Sequence, residues 1–257
     1  MLVAQGIGLA MLGLGYAVAL AYGSLGLLAV PGLIALAAAG LLVNRSARWL
    51  QSIGHALFLL LALGLALHWL PGFQGAKVID QAVFSAGALP FSMYLNLDKP
   101  LIGVWLLLAC PWVLGTVGKR PMTGLALTLP AVIAACLGGA WLLGIVAWAP
   151  KWPTQTWIWA LNNLLLVSLT EELLFRGYIQ GGLERLLHNR TLALLLASGL
   201  FGLAHLGAGW PWMLLATLAG LGYGLAYRQG GLYAAVLCHF ALNLSHFVGF
   251  TYPMLKP

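Results

Sequence analysis

Every glutamate in the chain lies between Glu171 and Glu184, and two of them, Glu171 and Glu172, stand with Arg176 in the stretch "TEELLFR" of an otherwise apolar run. A charge within a membrane span costs at least ~2.5 to 3.5 kcal/mol on insertion scales, so such residues need a compensating partner, a function, or both. On a helix Glu172 and Arg176 share a face one turn apart, with the glutamate on the N-terminal side, the better orientation for an ion pair. Glu171 points about 100° away. This reading makes Glu172 and Arg176 a structural pair and leaves Glu171 unpaired, facing a cavity. The competing reading has all three capping a helix at the membrane interface, with Glu184 and Arg185 beyond them.

Two later segments carry polar residues at one-turn spacing. In "FGLAHLG", Phe201 precedes His205 by four residues, and in "CHFALNL", His239 precedes Asn243 by four. Counting about 1.5 Å per residue from the cytoplasmic ends of their runs places His205 about 20 Å deep and His239 about 10 Å deep. Glu171 comes to a depth comparable with that of His205 if its helix continues through Leu187. A glutamate, two imidazoles and an amide in one buried pocket suit hydrolysis of an amide bond. Glu171 is then the general base on a water, His205 helps to hold that water, and His239 and Asn243 donate to the developing oxyanion. The same residues allow a second chemistry, in which Glu171, His205 and His239 ligate zinc, since two histidines and a carboxylate match common catalytic zinc ligation. No HExxH stretch occurs. No cofactor is favoured, with zinc as the alternative.

Other arrangements fall away. No Ser-His-Asp set or GxSG stretch is present, and both aspartates, Asp80 and Asp98, lie outside the apolar runs. His246 returns to the face of His239 but nearer the outer end of its run, while His55, His68 and His188 sit near run ends or in a loop and read as interfacial. Gly220, Gly222 and Gly224, with Gly199 and Gly202, read as close helix packing, because no strand precedes them to form a nucleotide loop. Cys110, Cys136 and Cys238 show no paired spacing, so neither a disulfide framework nor a CxxC metal site is indicated.

The elements that must position these residues are membrane helices. Of 257 residues, 62% are hydrophobic and 7% charged, a composition of polytopic membrane proteins rather than soluble domains. The expected fold is all-α, a polytopic transmembrane helical bundle of about 8 to 9 spans. The candidates are Leu2 to Tyr22, Leu25 to Val43, Ile53 to Leu70, Leu101 to Val117, Met122 to Ala149, Trp157 to Phe175, Thr191 to Gly207, Trp212 to Tyr227 and Leu232 to Phe250. Pro111 interrupts the fourth, and the weak break at Gly23 and Ser24 leaves eight open. The first run lacks a basic leader and a cleavage signature and reads as a retained span.

Arg45, Arg48, Lys119, Arg120, Arg185, Arg190 and Arg228 fall in alternate loops, which the positive-inside rule assigns to the cytoplasm. Lys77, Lys99, Lys151 and Lys256 fall on the other side. The net charge of +7 thus reflects topology and not nucleic-acid binding. The longest polar connection, Pro71 to Pro100, is expected outside as a solvated loop. The chain divides into N-terminal helices over 1–153 and a catalytic helical core over 154–250, within one integral membrane domain.

Taken in order, Glu171-Glu172-x-x-x-Arg176, Phe201-x-x-x-His205 and His239-x-x-x-Asn243 on successive apolar segments resemble the CPBP (CAAX protease and bacteriocin-processing, or Abi) family, which includes the type II CAAX prenyl endopeptidases. The resemblance covers about Trp157 to His246. It implies an intramembrane endopeptidase in which Glu171 activates water, His205, His239 and Asn243 complete the site, and Glu172 and Arg176 support it. The family has been described as both metalloprotease and glutamic protease; the glutamate-water account is the leading one here. The implied substrate is a membrane-associated protein or peptide, in protein maturation, C-terminal processing, sorting, or bacteriocin processing or immunity. The Ala-, Leu-, Gly- and Trp-rich composition points to a bacterial inner membrane, and the depth counting to a site open toward the cytoplasm. Two rivals differ in class. One is a membrane scaffold or chaperone of the same fold that does not cut; the other is a proton-coupled transporter, which predicts inverted repeats that the sequence does not display.

Overall fold

A computed structural model describes residues 2–115 and 121–256, with side chains described for all of these except 121–124. Lys119 and Arg120 of the basic loops, and the expected end of the fourth span at Val117, lie outside the described residues.

Of the described residues 72% are helical, and the described helices are nine. They are α1 (Leu2–Tyr22), α2 (Val30–Val43), α3 (Arg48–Ala66), α4 (Pro100–Ala109), α5 (Pro121–Leu142), α6 (Thr156–Leu187), α7 (Arg190–Leu203), α8 (Trp210–Gly230) and α9 (Leu232–Gly249). Five of them, α1, α3, α5, α6 and α9, are long and apolar enough to cross a membrane. The outward faces are greasy, as a lipid solvent requires: Leu2, Leu60 and Leu142 are exposed while Leu12, Phe58 and Ala140 are buried. The protein is an all-α membrane bundle.

The fourth expected span is not a full crossing. α4 has ten residues, about 15 Å of helix against a hydrocarbon core of about 30 Å. Pro111 is the cause. A proline disfavours helical geometry in the residue before it; Cys110 sits at φ −131°, ψ 58°, and a short 3-10 turn, Pro111–Leu114, follows. The break at Gly23 and Ser24 is real, since Ser24–Leu25 (β1) pairs with Phe73–Gln74 (β2). The sixth span runs far beyond Phe175, to Leu187.

The segment from Pro71 to Pro100 is a folded cap and not a solvated loop. Ala76–Ala82 (β3) and Phe91–Leu95 (β4) pair antiparallel, with Ala76 opposite Leu95 and Ala82 opposite Phe91. Alternate side chains turn inward, so Ile79, Met93 and Leu95 are buried, as are Leu97 and Asp98 after them. The C-terminal tail closes on this hairpin through Leu89 N to Met254 O (3.0 Å) and Lys256 N to Gly87 O (2.8 Å). The tail also binds the loop after α5 through Thr251 N to Ala147 O, 2.9 Å. All described strands therefore lie at the end of the bundle where α6 begins and α9 stops.

Two apolar clusters flank α6. One joins α1 to α4 through Leu12, Phe58, Trp105 and Leu106, and takes in Leu169, Leu173 and Tyr178 of α6. The other joins α5, α7, α8 and α9 through Cys136, Phe201, Tyr223 and Cys238, with Phe175 of α6 packed against it. The three cysteines are buried and free. Close packing holds for Gly202, Gly220, Gly222 and Gly224, where an added Cβ would crowd a neighbouring helix, but not for Gly199, which faces open space. At Gly177 the approach is to backbone: a Cβ would stand 2.6 Å from the carbonyl oxygen of Val113. A carbonyl cannot swing aside as a side chain can. Gly177→Ala should therefore lower the thermal midpoint in detergent by the equivalent of about 1 to 3 kcal/mol, the usual cost of overpacking. Gly199→Ala should be neutral or slightly stabilising. Equal midpoints for the two variants would contradict this account of the α6 contact.

Candidate active site

α6 is not a uniform α-helix. Leu169–Glu172 is a single α-turn between two π-helical stretches, Asn163–Ser168 and Leu173–Gln180. A π stretch bonds i to i+5 instead of i to i+4, and such stretches within α-helices occur frequently at functional sites. Both glutamates lie on that short turn.

The expected pair is present. Arg176 Nε lies 3.1 Å from Glu172 Oε2, with both side chains fully buried, which excludes capping at the interface. The contact is ionic but lacks hydrogen-bond alignment, and the remaining guanidinium nitrogens have no hydrogen-bond partner among the described residues. Aromatic faces supply the rest of the enclosure. The guanidinium carbon sits 4.9 Å from the centre of the Phe201 ring and 5.7 Å from that of Tyr223, where the ring quadrupole attracts a cation.

Glu172 also holds a histidine. Its Oε1 lies 2.9 Å from His239 Nδ1, and the imidazole stacks on Tyr223 at 4.5 Å with the planes 13° apart. An ionised carboxylate only accepts, so Nδ1 carries the proton. His205 is held in the same way: Nδ1 lies 2.8 Å from the Phe201 carbonyl oxygen, again an acceptor. His205 itself lies just past the end of α7, at the start of a 3-10 turn, rather than inside a span. Both hydrogen bonds leave Nε2 as the ring atom free to face the cavity.

Glu171 is not unpaired, contrary to the expectation from sequence. Lys99 Nζ reaches its Oε1 at 2.6 Å. Lys99 was expected in a solvated outer loop, yet it immediately precedes α4, and that short helix brings it inward. Gly103 allows the approach of α4 to α6, because a Cβ there would stand 3.2 Å from Thr170 Oγ1 and 3.3 Å from Leu173 Cδ1. Asp98 beside it is buried and bonds His68 Nδ1 at 2.6 Å.

Glu171, His205, His239 and Asn243 line one cavity of about 150 Å³, together with Phe201 and the further face residue His246. Cys136, Leu137 and Ala140 of α5 and Leu215, Ala216 and Ala219 of α8 form its apolar wall. Asn243 Nδ2 donates to Asn163 Oδ1 at 3.3 Å, and Ser168 Oγ donates to the same oxygen at 3.2 Å. Glu172 and Arg176 lie behind the wall. His55 bonds Tyr178 Oη at 2.9 Å, away from this cavity.

Sequence reasoning missed Lys99, Tyr223 and Asn163. The adjacent Asn162 and Asn163 inside a span carried a usable signal, since polar residues at that depth are costly. Tyr223 among glycines, and Lys99 before Pro100, carried weaker ones. A zinc ion would find Nε2 of two histidines whose Nδ1 atoms are oriented by acceptors, as metal-bound imidazoles usually are. The third donor does not fit. Glu171 is engaged by Lys99, and among the described residues no three His, Cys, Asp or Glu side chains converge as a ligand group. No step is therefore derived through a metal.

Removing Arg176 leaves Glu172 as a buried, unbalanced charge, at a cost of about 3 to 5 kcal/mol. Arg176→Met should sharply reduce the amount of folded protein recovered from membranes, and adding Glu172→Gln should restore part of it. A double variant no better than the single one would show that the pair does not act as a unit.

Residues 152–245 match the family model described as Rce1-like, type II CAAX prenyl endopeptidase. The UPF0177 protein YxdF of Lactococcus lactis is 32% identical over 83 residues, which is 31% of this chain and 43% of that protein. The chain thus covers under half the length of this curated relative. No solved structure matches. The matched segment holds α6 to α9 up to Ser245, with all the motif residues, and over residues 152–245 the chain is Rce1-like, in keeping with membership of the CPBP family.

Proposed function

We propose that this protein is an intramembrane endopeptidase that hydrolyses a peptide bond of a membrane-associated protein or peptide. The observation that carries the proposal is the grouping of Glu171, His205, His239 and Asn243 around one cavity, with Glu172 and Arg176 behind it. The family match supports a hydrolase of this kind.

In this mechanism a water in the cavity donates one hydrogen bond to the Glu171 carboxylate and another to Nε2 of His205. Glu171 takes the water's proton as its oxygen bonds to the scissile carbonyl carbon, and later returns that proton to the departing amine. The Asn243 amide donates to the oxyanion. The role of His239 is sharpened by its hydrogen bond. With Nδ1 committed to Glu172, it serves as an oxyanion donor only when Nε2 is also protonated. Lys99 and Arg176 each balance one glutamate. The enzyme is of the glutamic type on this reading. Its place is a bacterial cytoplasmic membrane. The basic loops put the α6–α7 and α8–α9 turns on the cytoplasmic side, whereas His205 past the end of α7, Trp212 at the start of α8 and His246 near the end of α9 set the cavity toward the opposite end, against the expected opening to the cytoplasm.

Glu171→Gln keeps the shape of the residue and removes the base. It should lower cleavage by roughly 10²-fold or more while protein levels stay intact. The measurement is a comparison of new peptide termini in membranes of cells expressing wild type or variant. Termini that persist unchanged with Glu171→Gln would remove the catalytic assignment and favour a non-cutting scaffold. Cleavage in purified membranes should survive stringent chelation; its loss, with recovery on adding zinc, would overturn the glutamic reading.

A further inference from the structure

At the end of the bundle away from the hairpin, where α6 gives way to α7 and α8 turns into α9, a cavity of about 530 Å³ opens among Gly181, Glu184, Arg185, Arg190 and Arg228. Its charges do not cancel. Glu184 is the one carboxylate among the described lining residues, and it is already shared: Oε1 lies 3.3 Å from Arg228 Nε and Oε2 lies 3.8 Å from Arg190 Nε. Gln180 Nε2 donates to Oε1 as well, at 3.3 Å. Arg185 makes no ion pair among the described residues; its guanidinium lies over the Trp112 ring, 3.7 Å from the centre. Arg228 Nη2 is buried with no hydrogen-bond partner among the described residues. Three guanidiniums around one carboxylate leave an excess of positive charge with donors to spare.

A second cavity, of about 770 Å³, adjoins the first through Trp112 and Arg185. It is largely apolar, running between Leu59 of α3 and Ile179, Leu183 and Leu186 of α6. Leu186 is 75% exposed, so the groove opens on the flank of the bundle. A basic pocket joined to a greasy groove on a membrane protein selects a ligand with both characters.

We propose that the two cavities form one binding site for an anionic phospholipid, with its phosphate among Arg185, Arg190 and Arg228 and an acyl chain along the groove. Guanidinium forks match phosphate geometry and are weakly hydrated. Basic pockets between helices at the cytoplasmic side hold anionic headgroups, and the basic loops assign this end to that side. The groove separates a lipid from a free phosphate ester, which would use only the pocket. Such a lipid ties α6 to α3 and α8 at the end of the helix that bears Glu171.

Native mass spectrometry of the delipidated protein tests this, with dioleoyl phosphatidylglycerol, dioleoyl phosphatidylcholine and glycerol 3-phosphate as probes. Phosphatidylglycerol should bind at least about tenfold more tightly than phosphatidylcholine, and glycerol 3-phosphate should not compete at equal concentration. Arg185→Gln and Arg190→Gln should each weaken phosphatidylglycerol binding by about fivefold and leave phosphatidylcholine unchanged. Arg190 has a side chain 67% exposed, so that variant tests the site without endangering the fold. Leu183→Asn should weaken the lipid through the groove alone. Equal binding of the two lipids, undiminished phosphatidylglycerol binding in the Arg185→Gln/Arg190→Gln double variant, or competition by glycerol 3-phosphate would each overturn the proposal.

Discussion

Glu172 and Arg176 are wholly enclosed, and a guanidinium in such surroundings is tolerable only because a carboxylate lies one turn back and two aromatic faces close over it. Much of the second half of the bundle follows from that requirement. Phe201 must lie on α7 where its ring covers the cation, which sets His205 one turn further on. Tyr223 must come from α8 to cover the other side, and it stacks on His239 of α9. The second carboxylate oxygen then holds the His239 ring at Nδ1. One ion pair thus fixes the relative positions of four helices. The helices bring the polar groups that line the cavity together as a by-product of satisfying it.

The division of labour between adjacent glutamates is a matter of direction. Glu172 points toward the aromatic enclosure and has no route to solvent. Glu171 turns toward the cavity and meets a lysine from the other half of the chain. The π stretches on either side of their turn shift the faces of α6 before and after it, so that Asn163 upstream accepts from both Asn243 and Ser168, and Tyr178 downstream packs toward Trp112 and His55. A uniform helix would distribute those side chains differently.

How far the sequence revealed this varied with the range of the interaction. The Glu172–Arg176 pair was legible because both partners lie on one helix at a spacing that geometry interprets directly. The convergence of His205, His239 and Asn243 was legible from depth counting and the order of motifs. Lys99 was not, because its partner is distant in sequence and nothing in "LDKP" marks it as inward-facing; loop polarity argued the opposite. The β-hairpin was hidden because Ala76–Ala82 alternates only weakly and sits among residues typical of solvated connections. The shortness of α4 was half visible in Pro111, and the π stretches left no periodic trace that 3.6-residue counting detects.

The Lys99–Glu171 contact joins a lysine outside the Rce1-like region to a glutamate inside it. The portion of the chain that carries the family's recognisable residues is therefore electrically incomplete when considered alone. Its second buried carboxylate is neutralised from the portion whose sequence carries no comparable signature. Change in the first half of the chain is bounded accordingly: whatever else it alters, a cation must still arrive beside Glu171.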